Sequence, residues 1–216
     1  MNLLFIHIIS FFSVLPISTP PSATFSAKNI SPLGQFSAEW NDPQYEQCNT
    51  AVNEKFFTSK EKEIIYILNL VRSNPKLFAN TVLTKYPELV GRTDLLDDKI
   101  YYQSLLESLR KMEQQTLLFS DKECYTSASC HAQKSGSTGY VGHTRSGADC
   151  KAKKHYMGEC CEYGHNDPLA IVLSLLIDEG VPSLGHRFIL LGDYESIGVS
   201  IKPHKTYGYN TVLDLY

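Results

Sequence analysis

The sequence predicts an α+β fold, and three observations carry that prediction. Helical and strand signals occupy largely separate stretches of the chain. The last two strand-like segments, 196–202 and 210–215, are joined by the turn-rich "PHKTYG" and read as a hairpin. Strands and helices do not alternate regularly, which sets aside a doubly wound sheet.

The chain opens with "MNLLFIHIISFFSVLPISTPPSATFSA". Residues 3–15 are nearly all apolar and too few to span a bilayer, and Pro16, Pro20 and Pro21 follow among small residues. This reads as a secretory signal peptide over 1–24. A secreted, extracellular protein with no membrane span after cleavage is the expectation. Residues 25–57 carry scattered Pro and Gly without a period, so they read as an extended arm or linker that is separable from the domain. The single N-x-S/T triplet, at Asn29, lies in this arm.

The regular domain is expected over 58–216. Thr58 and Glu61 fit a capping box, and Ile64, Ile67, Leu68 and Val71 continue at helical spacing. Asn74 and Pro75 suit the N-cap and first position of a second helix, which Pro87 and Gly91 break. "KIYYQSLLESLRKMEQQ" predicts a third helix. Ser120 and Glu123 suggest another capping box, opening a helix through Cys130 and His131 to Gly136 or Gly139. A strand over 155–163 would place Met157, Glu159 and Cys161 on one face. Asp167 then caps a helix that starts at Pro168, with Gly180 as its stop.

The formal net charge is −3 and no Lys/Arg cluster is present, so no nucleic acid is expected as a partner. Six cysteines in an exported chain point to disulfides. Cys124 and Cys130 on one helix would lie about 9 Å apart, beyond the bridging limit of about 7 Å. Cys160 and Cys161 are adjacent on a strand and point to opposite faces. Neither pair should bond to itself. No CxxC motif favours a zinc cluster or a dithiol redox centre.

One stretch, "DEGVPSLGHRFILL", is chemically odd. Asp178 and Glu179 sit where a helix dipole favours cations, with His186 close behind. A site opposite the two acids would explain them; solvation or pairing with Arg187 is the plain alternative. "GHTRSG", "GECC" and "LLIDEGVPSLGHRFILLGDYESIGVSI" together resemble the CAP superfamily, the SCP-domain family of cysteine-rich secretory, venom-antigen and pathogenesis-related proteins, in its short form. The similarity covers about 58–216. Cys160 stands where the family pattern has Asn, and Leu175 where it has Trp.

The resemblance implies an α-β-α sandwich with a cleft lined by two histidines and two acids. Those would be His143, Glu159, Asp178 and His186, with Glu179 as the alternative to Asp178. Zn2+ or another divalent cation would be held there. The implied function is an extracellular binding or effector module whose partner is a protein, lipid or small molecule. The alternative is a protease-like hydrolase using His143, Glu159 and His186 directly or through a metal. His131, His155, His165 and His204 belong to no motif and read as structural or surface residues, and Tyr207 and Tyr209 as packing.

Overall fold

The computed structural model describes residues 30–216. The expected signal peptide and Asn29 lie outside the described residues. Eight α-helices and four strands are found among them: α1 (Ser59–Ser73), α2 (Pro75–Phe78), α3 (Tyr86–Leu89), α4 (Ser104–Lys111), β1 (Phe119–Ser120), α5 (Lys122–Thr138), α6 (Ala148–Ala152), β2 (Gly158–Tyr163), α7 (Pro168–Ile177), α8 (Gly185–Leu190), β3 (Ser196–His204) and β4 (Gly208–Leu215). The fold is mixed, with one four-stranded sheet in the order β1-β3-β4-β2. β3 and β4 form the expected hairpin, β2 pairs antiparallel with β4, and β1 lies parallel to β3.

Side-chain alternation splits the sheet's surroundings. Ile197, Val199, Leu213, Leu215 and Cys160 face the main core with α1 and α7. Val212 and Cys161 face Ala128 and Ala132 of α5. The α5 helix comes very close to β3, because a Cβ on Gly198 would meet Tyr125 N at 2.0 Å and one on Gly136 would meet Pro203 O at 2.1 Å. No side chain fits at either position.

Local signals explain the helix starts. Thr58 and Glu61 form the complete capping box of α1. Asn74 caps α2 and Asp167 caps α7, each followed by Pro at the first turn. Three boundaries differ from expectation. Asp121, not Ser120, caps α5, because Ser120 is drawn into β1 opposite Ile197. The third helix begins as a π-turn over Lys99–Gln103, and α4 stops at Lys111. Beyond it Gln115 N–H and Thr116 O are taken by Arg72 of α1, so the chain there is pinned extended. Finally, α7 ends with Asp178 itself in the left-handed conformation, φ 60°, ahead of Gly180.

The separable arm is corrected from Ser31 onward. A turn over residues 32–36 buries Leu33 and Phe36, and short 3-10 turns over Ala38–Asn41 and Pro43–Cys48 bury Trp40, Tyr45 and Cys48, all in the main core. Trp40 also donates from Nε1 to Thr81 Oγ1 at 3.0 Å. These side chains follow no helical or strand period, so the sequence pattern did not show their burial.

Cysteine pairing is simpler than the even count suggests. Cys130 bonds to Cys150, with Cα atoms 5.5 Å apart, and neither Cys124–Cys130 nor Cys160–Cys161 is bridged. Cys48, Cys124, Cys160 and Cys161 are buried free thiols. Among the described residues no helix is long and apolar enough to cross a membrane.

Burial of Trp40 makes the first prediction. Trp40→Ala should lose about 3–5 kcal/mol of unfolding free energy, measured by chemical denaturation, as a large aromatic leaving a packed core does. A loss under about 1 kcal/mol would mean that this segment is not part of the cooperative unit.

Candidate functional site

The sheet's edge strand β2 organises the site. Glu159 and Cys161 project toward the α5 side, and Glu162 toward the α7 side. A cleft of about 530 Å³ runs over this edge, large enough for a small ligand. His143, Cys161, Glu162, Tyr163, Asp178 and His186 are among its lining, with apolar walls from Val90, Leu95, Val141, Leu175 and Val181.

The four residues singled out in the sequence come together as two pairs. His143 Nδ1 lies 2.9 Å from Glu159 Oε1, and His186 Nδ1 lies 2.7 Å from Asp178 Oδ1. The two imidazole ring centroids lie 6.2 Å apart, their planes tilted by 37°. A carboxylate at Nδ1 fixes the tautomer, since Nδ1–H must donate and Nε2 is left as the acceptor. Among the described residues nothing hydrogen-bonds either Nε2.

Glu159 and Asp178, expected as ligand oxygens, use both of their oxygens in hydrogen bonds within the protein. Glu159 is buried, and its second oxygen accepts from Arg145 Nη2. The second oxygen of Asp178 accepts from the backbone N–H of His186 at 3.0 Å and of Arg187 at 3.5 Å. All four oxygens are engaged, so the acids orient the histidines. Glu179, the alternative to Asp178, is exposed and pairs with Arg92 at 3.3 Å.

This geometry also resolves the misplaced acids. The carboxylate of Asp178 turns away from the end of α7 and caps the start of α8, whose own N-cap residue Leu184 offers no side-chain acceptor. The cation that the α7 dipole calls for is Arg187. It is buried, and its guanidinium donates to Leu176 O at 2.7 Å and Ile177 O at 2.9 Å. The plain alternative of an Asp178–Arg187 ion pair is not the arrangement found.

His143 rides on the loop between α5 and α6, and three contacts hold that loop. His131 Nε2–H donates to Gly142 O at 2.9 Å, so His131 is structural as expected, and burial lowers its pKa. Gly142 N–H donates to Tyr163 Oη at 2.9 Å. Arg145 is buried between Glu159 and Asp214, which face each other across β2 and β4, and it reaches Asp214 at 2.8 Å. Burial raises the Glu159 carboxyl, but the His143 hydrogen bond and Arg145 outweigh it, and the net shift is downward. Burial pushes Asp214 up to about 8; Arg145 pulls against that and Glu159 adds to it. The Glu159 hydrogen bond, against burial, raises the pKa of His143.

The sequence reading missed a third pair. His165 Nδ1 lies 2.6 Å from Glu162 Oε1, and both residues line the cleft. The Glu162 carboxyl is pushed up by burial, and its Oε2 has no partner among the described residues. The only local trace is the E-x-x-H spacing. Arg145 and Asp214 left no trace, because their partners are distant in sequence.

Compared with known proteins, the chain matches no family model, no curated protein and no solved structure.

Asp214 yields a pH prediction. Its folded pKa lies above the unfolded value, so the folded state holds a proton that the unfolded state has released. Stability therefore falls as pH rises from about 5 to about 8. His143 and Glu162, also raised, act in the same direction and His131 in the opposite one, so the comparison must be with a variant. Asp214→Asn should lose less stability over that window than the parent, by about 1 kcal/mol per pH unit, in denaturant titrations at each pH. Equal slopes would show that Asp214 stays ionised.

Proposed function

We propose that the chain is an extracellular binding module of the CAP type, acting through a divalent cation held in the cleft by His143 and His186. The observation that carries the reading is the paired imidazoles, each fixed at Nδ1 by a buried carboxylate and each with Nε2 unpartnered among the described residues. Histidine nitrogens oriented in this way are the usual donors to zinc. Helices against both faces of the sheet, and the "GH", "GE" and "GHR" motifs meeting at one cleft, support the CAP assignment.

Two protein ligands leave most of the coordination sphere open. A cation held so loosely exchanges readily and offers positions to oxygen or nitrogen groups of a bound partner. The apolar walls would then take the partner's body. Catalysis by a thiol nucleophile is the weaker reading. Cys161 Sγ lies 3.7 Å from His143 Nδ1, but burial and the neighbouring Glu159 hold it as a thiol.

Calorimetric titration with zinc tests the proposal. His143→Ala and His186→Ala should each lose a binding event that the parent shows. Glu159→Gln and Asp178→Asn should weaken it about 10–100-fold, as removal of an orienting carboxylate does. Unchanged binding in both histidine variants would overturn the cation site.

A further inference from the structure

A second cluster of metal-ligating side chains lies at the start of α5. The donor atoms of Asp121, Cys124 and His155 all lie within 4.8 Å of one another, and none of the three lines the cleft. They come from the N-cap of α5, its first turn, and the loop between α6 and β2. Asp121 Oδ1 accepts from Cys124 N–H at 2.7 Å. Burial, with the Asp121 carboxylate hydrogen-bonded to the thiol, pushes the Cys124 thiol well up, so thiol and carboxylate already share a proton that a cation could replace. Cys124 is fully buried and is not in a disulfide. The His155 ring is held in place by stacking on Tyr216, centroids 4.6 Å apart, and its backbone N–H donates to Ser127 Oγ at 3.0 Å. Glu123 stands 3.5 Å from its Nδ1.

Two other clusters of this kind are already committed. In one, Cys130 and Cys150 are joined to each other. In the other, with His131 and Cys161, both oxygens of Glu159 are engaged by His143 and Arg145. Among the described residues, the Asp121 cluster alone of the three keeps a thiol outside any disulfide, an imidazole and a carboxylate whose side-chain partners are the cluster's own members and Glu123.

We propose that Asp121, Cys124 and His155 form a second site, for a borderline divalent cation such as zinc, independent of the cleft. Thiolate, imidazole and carboxylate together match that class of ion. Metal–ligand bonds of about 2.0–2.3 Å require the donors to close by ~1 Å, which the partly exposed Asp121 and His155 side chains allow. On binding, the Cys124 thiol gives its proton to solvent, and thiolate plus carboxylate balance the two charges of the ion. Glu123 is placed to orient the imidazole, and the fourth position takes water. The ion would tie the loop before β2 to α5.

Cobalt substitution tests this directly, since sulfur-to-cobalt charge transfer absorbs in the near ultraviolet only when a thiolate is bound. The full chain, with the Cys130–Cys150 bond intact, is titrated with Co2+ as parent and as the His143→Ala/His186→Ala double variant. Both should show the band, with one equivalent bound in the double variant. Adding Cys124→Ala or His155→Ala to the double variant should abolish band and binding, while Cys161→Ala should leave them. Asp121→Asn keeps the helix cap and should weaken binding about tenfold or more. His155 is partly exposed, so its variant reports even if Cys124→Ala fails to fold. Absence of the band in the folded parent, or its loss with Cys161→Ala and not with Cys124→Ala, would overturn the proposal. The first result leaves the cleft untouched, whereas the second would move the thiolate site to the cleft, which Cys161 lines.

Discussion

The guanidinium of Arg145, buried between two carboxylates, is the constraint on which the cleft depends. Glu159 and Asp214 are direct cross-strand partners on β2 and β4, and two negative charges in that position would repel, so burial and Glu159 together keep the proton on Asp214 up to a pH of about 8. A buried cation between them holds Glu159 ionised, and it must be well bonded to offset its own desolvation. Arg145 meets that need by also donating to Ser127 O on α5. One side chain thereby joins the His143 loop, the edge strand, its neighbour and the helix beneath. Glu159 is fixed as an ionised acceptor, and His143 inherits its orientation.

The other half of the cleft rests on a comparable arrangement. Arg187 closes the carbonyl end of α7 and ties it to Tyr101 O and to Ser104 Oγ at the start of α4. With that end satisfied, Asp178 is free to serve α8. A non-glycine residue at φ 60° carries some strain, which Asp tolerates better than most. In return its two oxygens cap α8 and hold the ring of His186. Each histidine therefore stands on a buried carboxylate, and each carboxylate's geometry is set by an arginine or by backbone N–H groups.

How far the sequence disclosed this depended on the range of the interaction. Capping residues act within one turn, so Thr58 with Glu61, and Asp167 with Pro168, marked helix starts plainly. The terminal hairpin showed in its alternation and turn. The convergence of His143, Glu159, Asp178 and His186 was legible through motif order, but the roles of the acids were not, since these turn on which oxygen meets which donor. Residues 31–57 hid their burial because isolated 3-10 turns impose no period. Arg145 with Asp214, and Arg72 with the chain around Thr116, are contacts between distant segments that no local pattern encodes. Asp178 misled as an isolated sign: the acid at the end of α7 belongs, in three dimensions, to the beginning of α8.

The claim that carboxylates fix both imidazoles with Nε2 open is tested most directly by nitrogen-15 NMR of the histidine rings, in the metal-free protein above their titration range. The account predicts that His143 and His186 each carry the proton on Nδ1, with Nε2 bare, and that Glu159→Gln disturbs His143 while leaving His186 unchanged. A predominance of the Nε2–H tautomer at either ring, or free exchange between the two, would contradict it.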